Sequence, residues 1–157
     1  AASDVYKRQV PDLIRAWQKN EVLELRHPGA TRPWQHVLEP LSGYLMLAER
    51  LVREGAEFAE DWNFGPQEAD AKTVSWIADH LRKKFPLLRW VPESKVQPHE
   101  AGILKLDITK AKMKLRWAPK WSMDEALDKT VLWHQAWKEN LSMAEVSFRQ
   151  IQEYDGL

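Results

Sequence analysis

Apolar residues along this chain recur mostly at helical spacing, with a few short alternating runs between them. Pro11 suits a first helical turn because its missing N–H has no partner to lose there. After it Leu13, Ile14 and Trp17 share a face and predict a helix that stops near Asn20. Val22 to Leu25 alternates and reads as a short strand, whereas His27 to Pro33, with its two prolines and one glycine, reads as irregular backbone. Leu38, Leu41, Leu45, Ala48 and Val52 then fall on one helical stripe, widened by Leu47 and Leu51, with Glu39 and Pro40 suited to the first turn. This is the clearest helical pattern in the sequence.

Trp62-Asn63-Phe64 predicts a short strand ended by Gly65-Pro66, and the polar stretch through Asp70 a loop. Val74, Ile77, Ala78, Leu81 and Phe85 predict a second clear helix, capped by Thr73 and closed by Pro86. Leu87 to Val91 reads as a strand and Pro92 to Pro98 as a loop. Leu104 and Leu106 alternate around Lys105 ahead of Asp107, a cap for a short helix from Ile108 to Leu115. Ser122 with Glu125 and Ser142 with Glu145 have capping-box spacing, in which hydroxyl and carboxylate each satisfy an orphan N–H, so two more helices should start there. The first of these carries Ala126, Thr130, Trp133 and Trp137 on one side, with Leu127, Val131 and His134 beside them. The expected fold class is α/β, helix-rich with a few short strands and an incomplete sheet.

Charge and composition then remove several function classes. The 23 basic residues balance the 23 acidic ones, which leaves no general surplus for binding a nucleic-acid backbone. No apolar run is long enough to span a membrane, nothing at the N-terminus reads as a signal peptide, and the absence of Cys excludes disulfides and thiolate metal sites. A cytoplasmic protein with neither nucleic-acid nor membrane partners is expected. Ala1 to Gln9 lack periodicity and look like an adapter-derived peptide of translated sequencing reads. They are expected to be non-native, with 10–157 the native portion; the alternative is an ordinary disordered N-terminus.

The chain lacks the G-x-G-x-x-G turn that lets a backbone approach a pyrophosphate, and it has no G-K-[ST] phosphate loop. With 157 residues it is near the lower limit for holding both a dinucleotide and a substrate. His27, His36, His80, His99 and His134 never pair at metal-ligand spacing, so no metal is expected. Two residues remain as candidates. Arg32, a planar five-donor cation just ahead of a helix, suits bidentate binding of phosphate oxygens; a solvated loop cation or one packed on Trp34 is the other reading. Asn63, at the carboxyl end of a predicted strand and followed by Gly65, lies where open α/β sheets bind ligands, or is a turn-forming Asn. Trp62 and Phe64 are expected to face the core.

The run Arg32-Pro-Trp-Gln-His-Val-Leu-Glu-Pro40 is followed in order by Trp62-Asn-Phe-Gly-Pro66, Pro98-His-Glu-Ala101, Leu104-Lys-Leu-Asp107, Lys110-Ala-Lys112 and Trp117-Ala-Pro-Lys-Trp121. From Val10 to about Trp137 the chain thereby resembles the CDP-glucose 4,6-dehydratases, extended short-chain dehydrogenases/reductases of the NAD(P)-binding Rossmann superfamily. The resemblance implies an enzyme with an N-terminal NAD domain and a smaller C-terminal domain that holds the nucleotide of CDP-glucose, likened here to 10–157. NAD would take hydride from C4 of the glucose, water would leave across C5 and C6, and the hydride would return to C6. The product, CDP-4-keto-6-deoxyglucose, is a precursor of dideoxysugars, and a homo-oligomer is implied. The family's Tyr-x-x-x-Lys is absent: Tyr6, Tyr44 and Tyr154 each lack Lys four residues later. By motif, Arg32 and Asn63 correspond to diphosphate contacts and Glu100 to a carboxylate near the ribose, although Gln97 stands where related dehydratases have Arg. No catalytic and no cofactor-binding residue is expected in this chain. Arg116 stands where the family usually has Gly, so a positive φ there would strain it.

Overall fold

The computed structural model describes residues 9–94 and 102–157. The chain divides into two compact units, one formed by Ala1–Arg32 with Lys72–Leu104, the other by Pro33–Ala71 with Lys105–Leu157. No helix among the described residues is long and apolar enough to cross a membrane.

In the first unit, helix α1 (Gln9–Lys19) presents Leu13, Ile14 and Ala16 inward and ends where Asn20 turns to φ 54°. Of the nine residues set apart from the sequence, the first eight lie outside the described residues and Gln9 opens this helix. Strand β1 (Val22–Leu25) follows as expected. The loop after it contains a short strand that irregular backbone did not foretell, β2 (Thr31–Arg32), paired antiparallel with β3 (Lys72–Thr73). Helix α3 (Val74–Lys84) starts at Thr73, whose hydroxyl accepts the Trp76 amide at 3.2 Å, and buries Val74, Ile77, Ala78 and Leu81. It leads to β4 (Arg89–Pro92), two residues later than the alternation suggested, and β4 pairs parallel with β1 from Val22↔Arg89 to Leu25↔Pro92. Parallel neighbours need a crossover, which α3 supplies. Trp17 stacks on Phe85 with ring centroids 4.0 Å apart, tying α1 to the end of α3.

In the second unit the long helix α2 (Leu38–Glu54) forms where the periodicity placed it, but it buries Glu39 and Gly43, while Leu41, Leu45 and Val52 are 44%, 73% and 88% exposed. These three residues of the apolar stripe therefore do not face the core of this unit, although Leu47 beside them packs against it. Phe58, Phe64, Ile108, Ala111, Leu115 and Trp117 make that core. Trp62 to Phe64 is not a strand. A side chain takes one backbone group that a neighbouring strand would have taken, since Gln35 Nε2 donates to the Phe64 carbonyl at 2.9 Å, while the Trp62 indole anchors its ring to the Phe58 carbonyl at 3.0 Å. Nor is Leu104 to Leu106 a strand, since with Leu104 48% and Leu106 37% exposed no buried face fixes a register.

Asp107 accepts the Thr109 amide at 2.8 Å, as a cap should, and the helical turn that begins there widens into a π-helix over Ala111–Leu115. Arg116 follows at φ 56°, ψ 26°, the left-handed conformation that favours glycine. Arg116→Gly should therefore raise stability by about 0.5–1 kcal/mol, net of the glycine's greater freedom when unfolded, measured as a shift in urea midpoint at constant slope. The helices α4 (Met123–Lys138) and α5 (Met143–Asp155) pair through a bond from Trp133 Nε1 to Ser147 Oγ at 3.0 Å. Ser122 and Glu125 form the full capping box. Ser142 and Glu145 do not: at ψ 103°, against 165° for Ser122, the Ser142 hydroxyl makes no cap bond.

Candidate functional site

Arg32 is half-buried, and its guanidinium donates to the Thr31 carbonyl at 2.9 Å. Its strand is held on both sides. The Val74 amide bonds to Ala30 O at 3.0 Å, and on the other side Thr31 exchanges bonds with Gly102 and Leu104 at 2.8 and 3.1 Å. Across the ribbon Arg32 is in register with Lys72, so two cations share one face of a two-stranded pair. Lys72 also lies 5.3 Å over the Trp76 ring. Lys72 was not legible as a partner, because only the fold brings positions 40 residues apart into register. Glu100 lies outside the described residues.

Asn63 belongs to the other unit. It is exposed, and its amide donates to the Asp107 carbonyl at 3.3 Å. That bond fixes one wall of a cleft of about 450 Å³, lined by Pro33, Pro66, Gln67, Asp107, Thr109 and Lys112 among others. Two of the cleft's carboxylates are already engaged. Glu68 pairs with Lys105 at 2.9 Å, and that ammonium holds its carboxyl below the usual range. Asp107 is held down by the hydroxyl and amide of Thr109. Prolines, an amide, a hydroxyl and the Lys112 ammonium give the cleft both flat apolar surface and polar groups, the mixture that small-molecule sites use.

A dinucleotide does not fit the described residues. The cleft beside β1 in the first unit, about 310 Å³, is lined by the carboxylates of Asp12, Glu24 and Glu93 with Arg26 as its one cation. A pyrophosphate would meet net negative charge there, and no glycine-rich turn leads from β1 to a helix N-terminus. The described residues also contain no group of three or more His, Asp or Glu able to hold a metal ion.

The most connected polar group went unread in the sequence. Glu39 is 1% exposed, and its carboxylate accepts the Lys120 amide at 3.0 and 3.2 Å, the Trp121 amide at 2.8 Å and the Tyr154 hydroxyl at 2.6 Å. Burial, and then Glu39 itself, raise the Tyr154 phenol well above its ordinary range, so it stays a donor. His36, three residues earlier, meets Trp121 edge-on at 4.9 Å. Burial, helped by the Lys129 charge, lowers it to about 4.

No family model matches the chain. The chain is 46% identical over 148 residues to the CDP-glucose 4,6-dehydratase of Salmonella typhimurium (strain LT2), a match that takes in 94% of this chain and 41% of that protein. It thus spans well under half the length of the relative, and the likeness first met in separate motifs is a continuous similarity to a CDP-glucose 4,6-dehydratase along nearly the whole of this chain.

Proposed function

We propose that this chain is the C-terminal, nucleotide-sugar-binding part of an extended short-chain dehydrogenase/reductase that converts CDP-D-glucose to CDP-4-keto-6-deoxy-D-glucose and water, and that its own task is to hold the CDP moiety. The observation that carries this reading is the sequence similarity to the Salmonella enzyme over nearly the whole chain. Arg32 and Asn63 act on the diphosphate, and Glu100 on the ribose. The pairing of Arg32 with Lys72 supports the first of these roles, since two adjacent cations suit a doubly charged group. NAD and the proton-transferring groups belong to the rest of the parent enzyme, a cytoplasmic homo-oligomer; the chain alone catalyses nothing.

Titration calorimetry of the purified chain with CDP tests this. CDP should bind, and Arg32→Ala should weaken it at least roughly tenfold, the loss expected for one charge-assisted hydrogen bond. GDP or dTDP sugars displacing a probe that CDP leaves in place would indicate another nucleotide-sugar dehydratase or epimerase. No nucleotide affinity, and no effect of Arg32→Ala on any, would indicate a non-catalytic interaction module. Formation of a 4-keto sugar by the chain with added NAD would overturn the division of labour.

A further inference from the structure

The last helix contributes nothing to the cleft, yet it is tied to the segment that forms one of its walls. Tyr154, near the end of α5, has its hydroxyl 3.0 Å from Ser42 Oγ, and the Trp117 indole N–H donates to that same Oγ at 2.9 Å. The ring of Trp117 meets Phe64 edge-on, with centroids 5.0 Å apart. Phe64 cannot drift toward α2, because it lies against Gly43, where even a Cβ would stand 2.3 Å from the ring. Phe64 is flanked by Asn63 and by Gly65-Pro66, and Pro66 lines the cleft. Three direct contacts therefore run from Tyr154 through Ser42 and Trp117 to Phe64.

We propose that Tyr154 is a positioning residue for the Trp62–Pro66 segment: through Ser42 and Trp117 it fixes the Phe64 ring, and thereby where Asn63 and Pro66 stand, without touching any ligand. The consequence for binding rests on the reading of Asn63 as a nucleotide contact. The arrangement meets the physical requirement for such coupling, a contiguous chain of packed and hydrogen-bonded side chains. Tyr154 is not simply one more core aromatic. Its ring packs on Trp121, with centroids 5.0 Å apart, so Tyr154→Phe keeps that packing and removes the two hydroxyl contacts, to Ser42 Oγ and to the Glu39 carboxylate; the readouts at 63–65 and at the Trp117 indole follow the first of these.

Tyr154→Phe in the full 157-residue chain is the test, with three readouts: the CDP dissociation constant, hydrogen exchange at the Asn63, Phe64 and Gly65 amides, and the Trp117 indole N–H resonance. The expected result is roughly three- to tenfold weaker CDP binding, faster exchange at those amides and a shifted indole signal. Glu153→Gln, one residue before Tyr154 on α5, removes an ion pair with Lys129 of α4 and should move none of the three. A wild-type chain that binds no CDP would sink the functional proposal alone, since exchange and the indole signal would still decide the role of Tyr154. The inference is overturned if Tyr154→Phe lowers the melting temperature with exchange at 63–65 and the indole unchanged, or if Glu153→Gln reproduces its effects.

Discussion

Glu39→Ala is expected to remove about 4 kcal/mol of unfolding free energy, because it leaves two backbone amides and a phenol without their acceptor, each worth roughly 1–3 kcal/mol when buried. The donors are Lys120 N, Trp121 N and the Tyr154 hydroxyl. The carboxylate is tolerated because three donors converge on it and because Glu39 is in the first turn of α2, where helix N–H groups favour an anion. Burying a carboxylate is otherwise unfavourable by several kcal/mol. Urea unfolding checks this through the midpoint and its slope. A loss under about 1 kcal/mol would mean that water replaces the carboxylate at little cost.

Acid should loosen the same region through His36. Its folded-state pKa of about 4 lies below the 6.5 of an ordinary histidine, so the unfolded chain binds the extra proton more readily. This contribution is fully present above pH 6.5 and is lost as pH falls toward 4, where the loss has reached about 3 kcal/mol. Protonation would also set a second positive charge beside Lys129, the lesser of the two causes. His36→Gln should flatten the stability profile between pH 6.5 and 4 relative to wild type, whatever the carboxylates contribute to both. Parallel profiles for the two proteins would show that His36 charges without opposing the fold.

Local chemistry carried most of what could be read in advance. The helix after Thr73 and the capping box at Ser122 are fixed by neighbours three or four residues apart, and both formed as read. Arg116 was legible only through the glycine that the resembling family usually has at that place, since an arginine by itself gives no sign of positive φ. Periodicity revealed α2 but not its orientation: a stripe of Leu41, Leu45 and Val52 says that a face is apolar, not what covers it, and in this chain that face is exposed. The strand expected at 62–64 failed for a related reason. A strand needs a neighbour, and here the Gln35 side chain takes the Phe64 carbonyl instead. Glu39 was beyond reach, since a glutamate in a first turn normally faces water and its partners lie 81 to 115 residues further on. Within the candidate site, Arg32 stood out by charge and loop context. The register that gives it Lys72 exists only once β2 and β3 have paired.

The bond between Glu39 and Tyr154 spans 115 residues and joins the first turn of α2 to almost the last residues of the chain. During synthesis, which proceeds from the N-terminus, the phenolic partner follows the carboxylate by 115 residues. Until α5 emerges, α2 carries a carboxylate that cannot yet be buried, and Trp117 and Ser42 wait for the hydroxyl that completes their chain. Closing so long a loop is entropically slow. The start of α2 is therefore completed only after α5 has been made, and a truncation ahead of Tyr154 would act on it as directly as a substitution at Glu39.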